Sequence, residues 1–123
     1  MRTAAKVFIA LVALEHLWFL VLEMFLFTEP IGLRTFGMTL EAAQTSAVLA
    51  ANQGLYNGFL AAGLLWSLMR KADARAIQIF FLSCVIVAAV YGGLTAKITI
   101  LPIQGGPALV GLILVLLGRR GDD

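Results

Sequence analysis

Residues 7–27 read VFIALVALEHLWFLVLEMFLF, an apolar run broken only by Glu15, His16 and Glu23. A helix of about 20 residues crosses a ~30 Å hydrocarbon core, so this stretch has the length and composition of a membrane span. Arg2 and Lys6 precede it, as basic residues precede a secretory leader, but the apolar segment reaches Phe27 without a small-x-small cleavage site. It is read as a retained first span.

The pattern recurs outward from there. Thr28-Glu29-Pro30 and Gly32 stop the first helix, because proline and glycine break it. In residues 31–38, Leu33, Phe36 and Met38 surround Arg34 and Gly37, a mixture suited to the membrane interface. Thr39 followed by Glu41 is a helix-start signal. A second span is expected over about 46–69, ended by Arg70-Lys71. The connection through Asp73 is so short that the third span, about 74–95, should return as an antiparallel hairpin. Gly92-Gly93 loosens its end, Lys97 and Thr99 make the next turn, and a fourth span covers about 100–117. Pro102 falls in that span's first turn, where proline is tolerated, whereas Pro107 should kink or delay the helix.

The expected fold is therefore all-α: a single four-transmembrane-helix bundle over residues 1–123, with no room for a separate catalytic domain. Composition agrees, since 61% of the residues are apolar and 13% charged, against about half and a quarter in soluble domains. Arg2, Lys6, Arg70, Lys71, Arg75, Arg119 and Arg120 fall on one side of the spans, and only Arg34 and Lys97 on the other. Seven against two places both termini in the cytoplasm by the positive-inside rule. The net charge of +2 comes from these helix-end residues, not from a continuous basic face, so no nucleic-acid partner is expected. Cys84, the one cysteine, reads as a small packing residue.

The polar residues inside the spans point to function. The fourteen Leu, Ile, Phe and Val of span one favour insertion by roughly 4–8 kcal/mol, while each ionised acid near the centre costs about 2.5–3.5, so the span needs partners. His16 and Glu23 share a helix face within about 20° but lie about 10 Å apart along the axis, too far for a direct bond. Glu15 points about 100° away from His16. On span two, Asn52, Gln53, Tyr56 and Asn57 form a wide polar arc, and Ala50, Gly54, Gly58 and Ala62 form a stripe of small residues. Gly54-x-x-x-Gly58 permits close helix approach, so Gly54, Gly58 and Ala62 are expected at a packing face, within the chain or between copies. Counting rise per residue, Glu23, Tyr91 and Gln104 lie roughly 6 Å below the outer surface, Asn52 and Gln53 about 10 Å, and His16, Tyr56 and Asn57 about 16 Å. A pocket in the outer half, ending near His16, is the expectation. Trp18, Trp66 and the phenylalanines read as lipid-facing or packing residues.

Four segments together, HLWFLVLEMFL (16–26), AANQGLYNGFL (50–60), VYG (90–92) and QGGPA (104–108), resemble the bacterial DUF1304 family of small membrane proteins. The resemblance spans nearly the whole chain, with NQGLYNGFLAAG its most specific piece. It implies four spans in a bacterial plasma membrane and implicates His16, Glu23, Asn52, Gln53 and Asn57, without naming a reaction.

Ionisable groups inside a membrane mark a functional site by default. The reading that follows is the binding or transport of a small amphiphilic molecule in a pocket of His16, Glu23, Asn52, Gln53, Tyr56, Asn57, Tyr91 and Gln104, with Glu15 as a secondary candidate and His16 or Glu23 coupling occupancy to protonation. The alternative is a membrane enzyme acting on a lipid or quinone, with His16 as acid/base and Glu23 or Tyr56 assisting. A purely structural polar network is the third reading. A metal or haem site ranks last, since one histidine with two acids falls short of usual ligand sets, and no cofactor is predicted. The partners expected are the lipid bilayer, the amphiphilic ligand, and a second copy through the small-residue face.

Overall fold

The computed structural model describes residues 2–118. Arg119 and Arg120, which entered the charge count, lie outside the described residues. Among those described the chain is all helical, with no strand: α1 (Arg2–Met24), α2 (Pro30–Phe36), α3 (Leu40–Met69), α4 (Ala74–Thr95), a π-helical stretch (Leu101–Gly105) and α5 (Gly106–Leu117). Helices α1 and α4 are long and apolar enough to cross a membrane; the apolar segment Leu101–Leu117 is shorter.

Local chemistry explains the helix ends. Helix α1 stops at Met24, three residues before the apolar run ends, and the Leu26 N–H reaches back to the Val21 carbonyl at 3.1 Å. Phe27, counted by hydropathy into the span, instead stacks against Phe36 of α2 at 5.4 Å between ring centroids. Pro30 opens α2, where its missing N–H costs nothing and its fixed φ suits the helix. Gly37 closes α2 in the left-handed region, φ 63°, with its N–H on the Leu33 carbonyl, a conformation glycine adopts without a Cβ clash. Thr39 then caps α3, its Oγ1 accepting the Ala42 N–H at 3.2 Å. The expected start signal thus opens one continuous helix of 30 residues. Pro107 delays the last helix as expected. It cannot donate to the carbonyl four residues back; the chain runs as a π-helical stretch up to Gly105, and Pro107 takes a first-turn position in α5.

The chain divides into two compact units, residues 1–14 with 60–123, and residues 15–59. In the first unit a wholly apolar cluster joins Ala5, Ile9, Val12 and Ala13 of α1, Leu64 of α3, Leu82 and Val85 of α4, and Ala108 and Val115 of α5. Arg75 ties the start of α4 to the end of α5, donating to the carbonyls of Val115 (2.6 Å), Gly118 (2.7 Å) and Leu116 (3.3 Å). Carbonyls at a helix C-terminus have no intrahelical donor and carry partial negative charge, so a guanidinium is well placed there. Between α3 and α4, Arg70 Nε donates to Asp73 Oδ1 at 2.8 Å, and this bond holds the exposed Asp73 carboxyl below its usual range. The second unit comprises residues 15–24 of α1, α2, and residues 40–59 of α3.

Hydroxyls on these helices bond inward to their own backbone. Thr35, Thr45, Ser46 and Thr95 donate to the carbonyl four residues earlier, and Ser67 to that of Leu64. Such back-bonding satisfies a polar side chain without water.

A candidate polar site between two close-packed helices

Among the described residues the buried titratable side chains both lie in the second unit, His16 at 1% exposure and Glu23 at 5%. Its geometry begins with glycine. A Cβ at Gly54 would stand 2.9 Å from Met24 Cγ, 3.0 Å from Glu23 Cβ and 3.3 Å from the Leu20 carbonyl oxygen, and one at Gly58 would meet Leu20 Cδ1 at 2.6 Å. Leu20, Glu23 and Met24 occupy one face of α1 at the i, i+3, i+4 spacing, and Gly54, Asn57 and Gly58 present the same spacing on α3. The glycines let these faces approach to backbone distance. That approach brings the short Asn57 side chain within reach of the acid, and Asn57 Nδ2 donates to Glu23 Oε1 at 2.7 Å.

Sequence reasoning treated the small-residue stripe and the polar arc as separate features. The structure joins one member of the arc, Asn57, and two of the stripe, Gly54 and Gly58, in a single contact, the glycines allowing the approach in which the polar pair forms. The stripe does not extend to Ala62, which is exposed and belongs to the other unit. Leu20 and Met24, the residues that receive the glycines, carried no signal of their own, being two apolar positions among many.

The other candidates are distributed more widely. His16 is buried on the same face of α1 as Glu23, its ring edge-on to Phe19 at 5.4 Å and 74°. Asn52 is exposed and donates to the Val48 carbonyl of its own helix at 2.8 Å. Gln53 is exposed, as is Tyr56, whose ring tilts against Phe59 at 5.9 Å. Tyr91, exposed, and Gln104, half-buried, belong to the first unit. Glu15 is half-buried, and its Oε1 is a buried atom with no hydrogen-bond partner among the described residues. Among the described residues no three His, Cys, Asp or Glu side chains gather as a metal-ligand group.

Chemically, the pair offers a carboxyl group oriented by an amide within an apolar wall. Asn57 fixes one oxygen of Glu23, and a carboxyl so held can keep a proton or take a hydrogen bond from a bound molecule. His16, farther along the same wall, supplies a second side chain with hydrogen-bonding nitrogens.

The family model described as protein of unknown function (DUF1304) matches residues 10–116. The uncharacterized protein YpaA of Lactococcus lactis subsp. lactis (strain IL1403) is 36% identical over 105 residues, covering 84% of this chain and 88% of the relative. No solved structure matches the chain. The matched region takes in α2, α3 and α4 entire, most of α1 and α5, and every candidate residue; the chain belongs to the DUF1304 family.

Proposed function

We propose that this protein is a multi-pass protein of the bacterial plasma membrane, a four-span bundle with both termini cytoplasmic, that binds or carries a small amphiphilic molecule at the Glu23–Asn57 pair. The observation that carries the reading is the 2.7 Å hydrogen bond between two side chains on long, mainly apolar helices, one of them a buried acid. An acid in such a place is costly to keep for packing alone. Large apolar side chains exposed along every long helix, such as Leu11, Leu14, Leu49, Phe80, Val87, Ile113 and Leu116, support a lipid-facing exterior. The inward-bonded hydroxyls suit the same setting, since lipid offers them no partner. In this reading His16 lies at the inner end of the site, and its proton and that of Glu23 respond to occupancy. Gly54 and Gly58 are taken up within the chain, so a second copy would associate through another face.

The test is native mass spectrometry of the full chain purified in mild detergent, comparing wild type with Glu23→Gln and Asn57→Leu. A defined small molecule should accompany wild type and be lost from both variants while they elute as folded protein. Undiminished retention in both would overturn the site. Reporter fusions after residues 38, 72, 98 and 123 should alternate outside, inside, outside, inside; any other order overturns the topology.

A further inference from the structure

Glu15 is the acid that the Glu23–Asn57 site leaves unused, and three observations bear on it. The first is position: Glu15 lies in α1, Arg2–Met24, within about 3 Å of the helix midpoint at 1.5 Å per residue. The second is direction. The exposed residues Val7, Leu11, Leu14, Trp18 and Val21 fall within an arc of about 80°, and His16 and Glu23 point to the opposite side, about 80–100° from Glu15. Glu15 stands at the border, about 40° past the edge of the exposed arc, and the fully buried Leu22, two turns on, falls at an angle between the two. The third is bonding: its buried Oε1 has no hydrogen-bond partner among the described residues. A buried oxygen of this kind calls for a donor.

Trp18, at i+3 from Glu15 and 44% exposed, is its neighbour on the helix surface. An acid with an unpartnered oxygen, one helical turn from a part-exposed indole, is a pair of features that suits a protonated amine, the N–H bonding the carboxyl and the positive charge resting on the ring. Because the border faces the apolar exterior, the amine must arrive with an apolar chain attached.

We infer that Glu15 and Trp18 form a second binding site, distinct from the Glu23–Asn57 pair, for lipophilic primary amines reaching α1 from its apolar side. The amine approaches uncharged. The Glu15 carboxylic acid transfers its proton to the amine nitrogen, the O–H bond breaking as the N–H bond forms, and the resulting alkylammonium donates to the carboxylate. Two neutral groups thus become a hydrogen-bonded ion pair, and no isolated charge enters the apolar phase. A quaternary ammonium has neither the free electron pair nor the N–H and is refused. The inference rests on the membrane setting but not on the Glu23–Asn57 site.

The experiment uses the full chain in a neutral maltoside detergent, with dodecylamine as probe and dodecyltrimethylammonium as the isosteric control, binding being read by native mass spectrometry. Wild type should take one dodecylamine and bind the control at least about tenfold more weakly. Glu15→Gln should lose dodecylamine binding by a similar factor of about ten, Glu15→Asp should retain part of it, and Trp18→Leu should weaken it about threefold. Glu41→Gln, at an exposed acid outside both sites, should leave it unchanged. Labelling of unaltered protein with dicyclohexylcarbodiimide, located by peptide mass, gives a readout free of variants: Glu15 should be labelled, and dodecylamine should protect it. Equal binding by wild type and Glu15→Gln, equal binding of the two probes, a loss in Glu41→Gln as large as that in Glu15→Gln, or labelling that dodecylamine does not reduce would each overturn the proposal. None of these results touches the co-purification test of the Glu23–Asn57 site.

Discussion

The two units bury different chemistry on the same helices. Residues 1–14 of α1 contribute Ala5, Ile9, Val12 and Ala13 to an apolar cluster, while residues 15–24 bury His16 and Glu23. Helix α3 repeats the contrast: its later half supplies Leu64 to the cluster, and its earlier half supplies Gly54, Asn57 and Gly58 to a close polar contact. The buried polar side chains of the first unit, Ser67 and Gln78, are uncharged; those of the second are titratable. One helix therefore serves as packing scaffold along one length and as site wall along the next. Side-chain volume holds the first unit together, and its absence at two glycines forms the contact in the second.

The comparison can be broken first in the apolar cluster. Leu82→Ala removes a fully buried side chain from the first unit, and should cost about 2–3 kcal/mol, toward the lower end for buried leucines. Unfolding in mixed detergent reads this, and amphiphile retention at Glu23–Asn57 should survive in the folded fraction. Next comes Gly54→Val, which places branched volume against Glu23 Cβ and Met24 Cγ. A loss of about 2 kcal/mol is expected from overpacking, here accompanied by loss of the retained molecule; a variant that keeps that molecule would separate the glycine contact from the polar pair.

Asn57→Leu removes the donor to Glu23, and should cost about 1 kcal/mol. A double-mutant cycle with Glu23→Gln should show coupling of about 0.6–1.7 kcal/mol; coupling near zero would mean the pair does not act as a unit. The smallest effect belongs to the exposed Arg70–Asp73 bridge. The folded Asp73 titrates below its ordinary 3.8, so its contribution is complete above that value and disappears as the pH falls through the folded pKa. Melting of wild type and Asp73→Asn should differ slightly at neutral pH and converge in strong acid.

Helix boundaries were largely legible in the sequence. Arg70-Lys71 and Asp73 bracket the break between Met69 and Ala74, Thr39 marks the start of α3, and Pro107 marks the interruption before α5. The end of α1 was less so, because hydropathy counts Phe27 as span and cannot see that the chain turns so its ring meets Phe36. In the polar arc, Asn52, Gln53, Tyr56 and Asn57 were equivalent candidates by composition. Asn57 alone among them bonds Glu23, whereas Asn52 turns to its own helix. Arg75, read as one more topological charge, proves to hold the carbonyls that end α5.

By itself the sequence determined the helices, their apolar exteriors and the presence of three ionisable groups within a long apolar one, because hydropathy, helix-breaking residues and caps act over a few neighbouring positions. Only the tertiary structure decided that Gly54 and Gly58 face Leu20, Glu23 and Met24, that Asn57 is the partner of Glu23, and that an oxygen of Glu15 is buried without a donor. Those outcomes depend on the register between helices and on distances of a few tenths of an ångström, which the spacing along one chain does not encode.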